Sequence, residues 1–209
     1  MYSTAPANNL VGLTFDDGFA DFIVHATPIL HRYGFTATVF VIAERLGGYN
    51  DWNVPGPRKN LMTADELRQI TCSGIEVGSH GLRHVSLKHL NDASLVHEVG
   101  HSRKLLEEVL GHPVSGYCYP YGDVDSRAIE AVQAAGYDYG CAIWPSALTC
   151  LHGLPRTYIN DRDGPLRLRV KHLHHRVPLG RRRDRGPRRL AGWFREQLLT
   201  RVPTVNSLR

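Results

Sequence analysis

Two pairs of residues in this chain of 209 could do chemistry together. Asp16 and Asp17 stand side by side in LTFDDGFADF, and His80 and His84 stand four apart in SHGLRHVSL. A neutral imidazole nitrogen and a carboxylate oxygen are good ligands for zinc or a similar divalent ion. Two histidines and one aspartate leave coordination positions open to water and substrate, as a catalytic centre requires. With one aspartate on an ion, the other stays free to take a proton. Each pair alone has a plainer reading. His80 could be a satisfied core histidine, histidines four apart are common, and either aspartate could cap the helix after Gly18. The conjunction carries the inference, because both pairs directly follow strand-like runs.

A rival motif lies nearby. His97-Glu98-Val99-Gly100-His101 fits H-E-x-x-H, the zinc signature of metalloproteases, on a helical stretch. Leu95, Val99, Leu106 and Leu110 form the stripe expected to be buried, which leaves His97 and His101 to one side, toward Lys104 and Glu108. Gly100 in mid-helix costs about 1 kcal/mol, and no third ligand follows at close spacing. The protease reading is set aside.

These residues need elements to position them. Strand-like runs occupy 11–15, 36–41, 75–78, 114–119 and 139–143, with 157–159 as one more. Helical patterns run from Ala20 or Asp21 to Tyr33, stopped by Gly34, and from a Thr63–Glu66 capping box through Ile70, closed by Gly74. Two more run from Asn91 or Asp92 to Leu110, stopped by Gly111, and over 125–135, stopped by Gly136. Residues 45–60, rich in Gly, Pro and Asn, form a long loop. Strands alternating with helices predict an α/β fold with a mainly parallel sheet and helices outside. The pattern leaves open whether the sheet closes. No dinucleotide fingerprint follows the first strand, which disfavours a nicotinamide fold. In parallel sheets functional groups gather beyond the C-terminal strand ends. Asp16, Asp17, Ser79, His80, His84 and the YPYG run at 119–122 are therefore expected in one crevice.

Composition is ordinary for a globular chain, 42% apolar and 22% charged. No run of about 18 apolar residues indicates a membrane span. The first fifteen residues lack a basic start followed by a long apolar stretch, so a cytoplasmic location is expected unless a leader has been removed. None of the four cysteines forms a CxxC pair, which disfavours a cysteine-built zinc cluster. Charge is divided unevenly. Residues 1–150 hold 10 Lys and Arg against 16 Asp and Glu, while 151–209 hold 15 against 4. A basic tail can meet nucleic acid or anionic lipid. Its few aromatics and the lack of a nucleic-acid module favour a solvated end, so no nucleic-acid partner is expected. Residues 190–199 could form a short amphipathic helix.

The motifs resemble those of the polysaccharide deacetylase family, the NodB-like domain of carbohydrate esterase family 4. TFDDG at 14–18 is similar to its first motif, SHGLRH at 79–84 to its second, and YPYG at 119–122 to a common form of its third. The resemblance covers about residues 10–158. It implies a distorted (β/α) barrel, often seven-stranded, which here would be incomplete near the C-terminus. It also implies one divalent metal, commonly zinc. Asp17, His80 and His84 would hold the ion, and Asp16 would be the catalytic base. The Tyr121 N–H would help hold the oxyanion, and Pro120 and Tyr121 would shape the groove for an acetylated carbohydrate. There are departures. Cys118 stands where many relatives have an arginine that orients the base, and Arg156 in LPRTYI is the candidate replacement. The fourth motif is not clear, and Trp144 is a candidate groove wall. LHH at 173–175 fits the letters of the last motif, making His175 the candidate acid; its plainer reading is a surface histidine in a basic stretch. Residues 1–175 are then a catalytic domain and 176–209 a basic tail. The expected activity is removal of N-acetyl groups from an amino-sugar oligo- or polysaccharide. An O-acetyl esterase on xylan or another glycan, and an inactive carbohydrate-binding domain, are the alternatives.

Overall fold

Among the described residues, six short parallel strands stand side by side in chain order: β1 (Thr14–Phe15), β2 (Thr38–Val41), β3 (Glu76–Ser79), β4 (Gly116–Cys118), β5 (Tyr139–Ile143) and β6 (Leu154–Arg156). A computed structural model of the chain describes residues 11–52, 55–143 and 150–176. Helices α1 (Asp21–Tyr33), α2 (Ala64–Cys72), α3 (Asp92–Leu110) and α4 (Ser126–Ala134) make the first four crossovers, and α5 (Pro165–Arg176) follows β6.

The helix ends obey local chemistry. Thr63 and Glu66 form the reciprocal capping box expected of them. The Asn91 side chain accepts the Ser94 N–H, and Asp125 accepts that of Ala128. Gly34 and Gly111 end their helices in the left-handed conformation.

Side chains alternate across β2. Val39 and Val41 join the core with Leu67, Val77, Val99 and Leu106. Phe40 turns to the opposite face, where its ring meets Tyr139 edge-on at 6.5 Å. These two rings fill the space that side chains at Gly78 and Gly116 would occupy. A Cβ on Gly78 would sit 2.5 Å from the Phe40 ring, and one on Gly116 2.4 Å from Tyr139.

The sheet is curled. In a flat sheet, β1 and β6 would lie five spacings, roughly 24 Å, apart. Instead Arg156 of β6 donates directly to the Thr14 hydroxyl of β1 at 2.9 Å. The described residues thus make an open, six-stranded half-barrel whose edges meet through side chains.

One expected strand is misplaced. Residues 157–159 are not a strand; β6 precedes them, pairing Cys141 with Leu154 and Ile143 with Arg156. Pro155 reads as a strand breaker, yet β6 ends the strand order, and an edge strand tolerates a missing N–H. No helix among the described residues is long and apolar enough to cross a membrane.

Candidate active site and metal centre

β1 delivers its two aspartates into a sharp turn. Asp17 and Gly18 both take positive φ, 71° and 73°, and a Cβ on Gly18 would press to 2.8 Å from Val41. The turn sends the neighbouring carboxylates to different partners. Asp16 meets Arg156, whose Nη1 and Nη2 lie 2.7 and 2.8 Å from its two oxygens. Asp17 meets the histidines. Its Oδ1 is 3.4 Å from His80 Nε2 and 3.3 Å from His84 Nε2.

Those separations fit a shared ion better than direct ion pairs. A charge-assisted N–H···O bond is about 2.7–2.9 Å long. A tetrahedral ion about 2.1 Å from each donor would hold its ligands about 3.4 Å apart. The second contacts of the imidazoles agree. His80 Nδ1 lies 2.8 Å from the Cys118 carbonyl, which only accepts, so that nitrogen carries a proton. His84 Nδ1 lies 3.1 Å from the Tyr121 hydroxyl, which itself donates to the His84 carbonyl at 3.3 Å. Both Nε2 atoms are then left as lone-pair donors facing Asp17, the tautomer that metal-ligating histidines adopt.

Asp16, His80 and Cys118 also bring three ligand atoms together. That group suits an ion less. Arg156 Nη2 already lies 2.8 Å from Cys118 Sγ, and burial pushes the Cys118 thiol up, which keeps it protonated.

Electrostatics separate the two carboxylates from ordinary aspartates. Burial acts to raise both. The Arg156 hydrogen bonds outweigh it at Asp16, and in the ion-free site, with the imidazole Nε2 atoms protonated, hydrogen bonds from His80 and His84 outweigh it at Asp17, so both end below 3.8. Beside them lies a cavity of about 400 Å3 lined by Asp17, Phe19, Trp52, Lys59, His84 and Tyr121 among others. A carboxylate on a shared ion, a second carboxylate held ionised, and an adjoining cavity can together activate water against a bound carbonyl.

The model for polysaccharide deacetylases matches residues 4–140. This chain belongs to the polysaccharide deacetylase family. It is 28% identical over 149 residues to YxkH of Bacillus subtilis, covering 71% of this chain and 50% of that protein. It is 26% identical over 163 residues to the poly-β-1,6-N-acetyl-D-glucosamine N-deacetylase of Staphylococcus aureus, covering 72% and 54%. The chain thus spans about half the length of these curated relatives. In fold it resembles the Streptococcus pyogenes deacetylase PplD, with a TM-score of 0.65, 24% identity, and 83% of this chain and 73% of that chain covered.

Most residues that the family motifs single out lie together. Asp16, Asp17, His80, His84 and Arg156 form one connected cluster. Pro120 is buried and opens a 3-10 turn, Pro120–Gly122. Tyr121 stands at its centre with φ 61°, its ring 4.6 Å from that of His84. Burial first, then the Asp17 charge, pushes its phenol up, so it stays a donor. His175 is on helix α5, exposed, its Nδ1 3.0 Å from the Thr157 hydroxyl. Among the described residues, the two ligand clusters do not include it. Trp144 lies outside the described residues, as do 177–209 with the expected helix at 190–199.

Other members of this site were not foreseen. Trp52 stacks on His84 at 4.7 Å and walls the cavity. It stands in the long loop, which is pinned back on the site by bridges from Phe19 to Leu61 and Tyr49 to Asn60. Asn50 holds that loop, accepting the Lys59 N–H at 2.6 Å and donating to the Pro57 carbonyl at 3.1 Å. A tryptophan within a Gly- and Pro-rich polar loop was the available signal. The Cys118 carbonyl and the Tyr121 hydroxyl left no signal, since backbone and side-chain partners of this kind depend on tertiary placement.

Proposed function

We propose that this chain is a metal-dependent hydrolase that removes N-acetyl groups from an acetylated amino-sugar polymer. The observation that carries the reading is the division of labour at one turn: Asp17 faces two imidazoles while Arg156 holds Asp16 aside. The name of the Staphylococcus aureus relative supports a poly-N-acetylglucosamine as substrate. Residues 1–175 would carry the catalysis, with 176–209 as a basic tail. The seven-stranded barrel would need one further strand beside β1 or β6, outside the described residues.

Asp17, His80 and His84 would hold the ion, and zinc is the first choice for two imidazoles and a carboxylate. Bound there, a divalent ion supplies Lewis-acid polarisation of the acetyl carbonyl and a lowered pKa for water. Asp16, kept ionised by Arg156, takes the proton of the attacking water. The Tyr121 N–H is assigned to the oxygen on which charge develops. Trp52, Pro120 and Tyr121 present the sugar, with Trp144 as a further groove wall. His175 is assigned the proton for the departing amine, on the ground that its imidazole meets the residue after Arg156. Water and the acetamide leave as acetate and a free amino sugar.

The test is acetate release by zinc-loaded protein from poly-β-1,6-N-acetylglucosamine, chitooligosaccharides and acetylxylan. Release from an N-acetylated polymer is the expected result. Release from acetylxylan alone would move the chain to the O-acetyl esterases. Sugar and ion bound without any acetate would leave a binding domain.

A further inference from the structure

Glu98 sits inside the H-E-x-x-H run, yet it faces away from both histidines. His97 is exposed and His101 half-buried, their rings 5.0 Å apart, whereas the Glu98 side chain has no exposed surface. A buried carboxylate persists only where its lone pairs are satisfied. Its Oε1 accepts the N–H groups of Leu82 and Arg83 at 2.9 and 2.7 Å. Its Oε2 faces Arg83 Nε at 3.3 Å.

The residues it holds are those between His80 and His84. That connection is clamped from its other side as well. The Gly81 and Leu82 carbonyls accept the N–H groups of Ala43 and Glu44, each at 3.0 Å. Gly81 N–H donates to the Ser79 hydroxyl at 3.1 Å, which donates in turn to Ser102 of α3 at 3.0 Å. Gly81 and His84 both take left-handed conformations, at φ 82° and 63°, so the connection needs outside support to keep its shape. There is no slack in it: a Cβ on Gly81 would lie 3.2 Å from Glu98 Oε1.

We propose that Glu98 is a positioning residue for the metal centre, setting through the Leu82 and Arg83 amides the backbone that delivers His80 and His84 to Asp17. This rests on the reading of those three residues as ligands. The Arg83 side chain is secondary, being half-exposed and at the longest of the three contacts.

The experiment titrates cobalt(II) into the metal-free full chain, with affinity from chelator competition and geometry from visible absorption. Wild type should bind, and H84A should not. E98L, shown by circular dichroism to be folded, should bind about 10- to 100-fold more weakly, with altered bands. E98Q, whose amide oxygen can accept both N–H groups, should stay close to wild type. Folded E98L with wild-type affinity and spectrum overturns the proposal. Wild type that fails to bind, or H84A that binds equally well, removes the ligand reading itself and the proposal with it. Should E98L not fold, hydrogen exchange of wild type decides. Leu82 and Arg83 amides protected like those of α3 support the proposal, and exchange at open-loop rates overturns it.

Discussion

Arg156 grips both carboxylate oxygens of Asp16, and its Nη2 also meets the sulfur of Cys118. The guanidinium thus arrives from β6 at a spot where the family resemblance expects one from β4. A two-pronged contact of this kind fixes the carboxylate plane as well as its charge, which lysine cannot do. R156A should lower kcat by about 100-fold or more, R156K by less, and neither should weaken metal binding. The double variant C118R/R156A, which restores a guanidinium from β4, should recover part of the loss. Steady-state kinetics beside zinc affinities check all three.

Asp16 and Asp17 are adjacent, but the turn gives them separate partners. D16N should bind zinc as wild type does while kcat falls about 10²- to 10⁴-fold. H80A should lose zinc and turnover together, because it removes one of the three proposed ligands. Metal content by elemental analysis, measured with activity on the same preparation, separates the two. Full activity in zinc-loaded D16N would remove the base assignment.

The legible part of this site is the part that strand ends dictate. Asp16, Asp17, His80 and Tyr119 each follow a short strand-like run, and a parallel sheet sends such ends to one crevice. Caps at Thr63, Asn91 and Asp125 place the helices, because capping is decided within a few residues. β6 was misplaced because Pro155 obeys a different rule at an edge than in a sheet centre. Trp52, the Tyr121 hydroxyl and Glu98 gain their meaning only from partners 32, 37 and 15 or more positions away. Glu98 did leave a faint trace: with Leu95, Ser102 and Leu106 it shares the helical spacing of the buried stripe, an odd place for a carboxylate.

The metal-free protein should be most stable in a bounded pH window. The depressed Asp16 and Asp17 contribute stability that is present above their ordinary 3.8 and lost as pH falls through their lower folded values. His80 runs the other way. Burial would lower it, but the hydrogen bond to Asp17 and the nearby Asp16 charge act against burial, and it stands raised well above 6.5. Its contribution is present below 6.5 and lost as pH rises through the raised value. In the proposed centre zinc would take the place of the His80 proton, so adding it should abolish the alkaline loss and leave the acid one. Melting temperatures against pH, with EDTA and with zinc, test this; an alkaline edge that zinc leaves unmoved would contradict it.

Among the described residues, His175 meets Thr157, the residue after Arg156. In its proposed role as donor to the leaving amine it should matter for kcat and not for the ion. H175A should therefore reduce kcat by about 10²-fold or more and bind zinc normally. T157V, which removes the hydroxyl that holds the imidazole, should show a smaller effect of the same kind. Unchanged turnover in H175A would return this histidine to the surface cluster of α5.

Tyr121 meets the proposed centre through its hydroxyl, besides the backbone N–H assigned to the oxyanion. The hydroxyl donates to the His84 carbonyl and accepts from His84 Nδ1, which fixes both the ring orientation and the tautomer. Y121F keeps the ring beside His84 and removes only that contact. Zinc affinity should fall by about tenfold, the scale on which partners of a ligating histidine act. At saturating zinc the kcat of Y121F should return toward wild type, because the backbone N–H assigned to the oxyanion is untouched. A Y121F enzyme that binds zinc normally but turns over slowly would place the hydroxyl on the substrate instead.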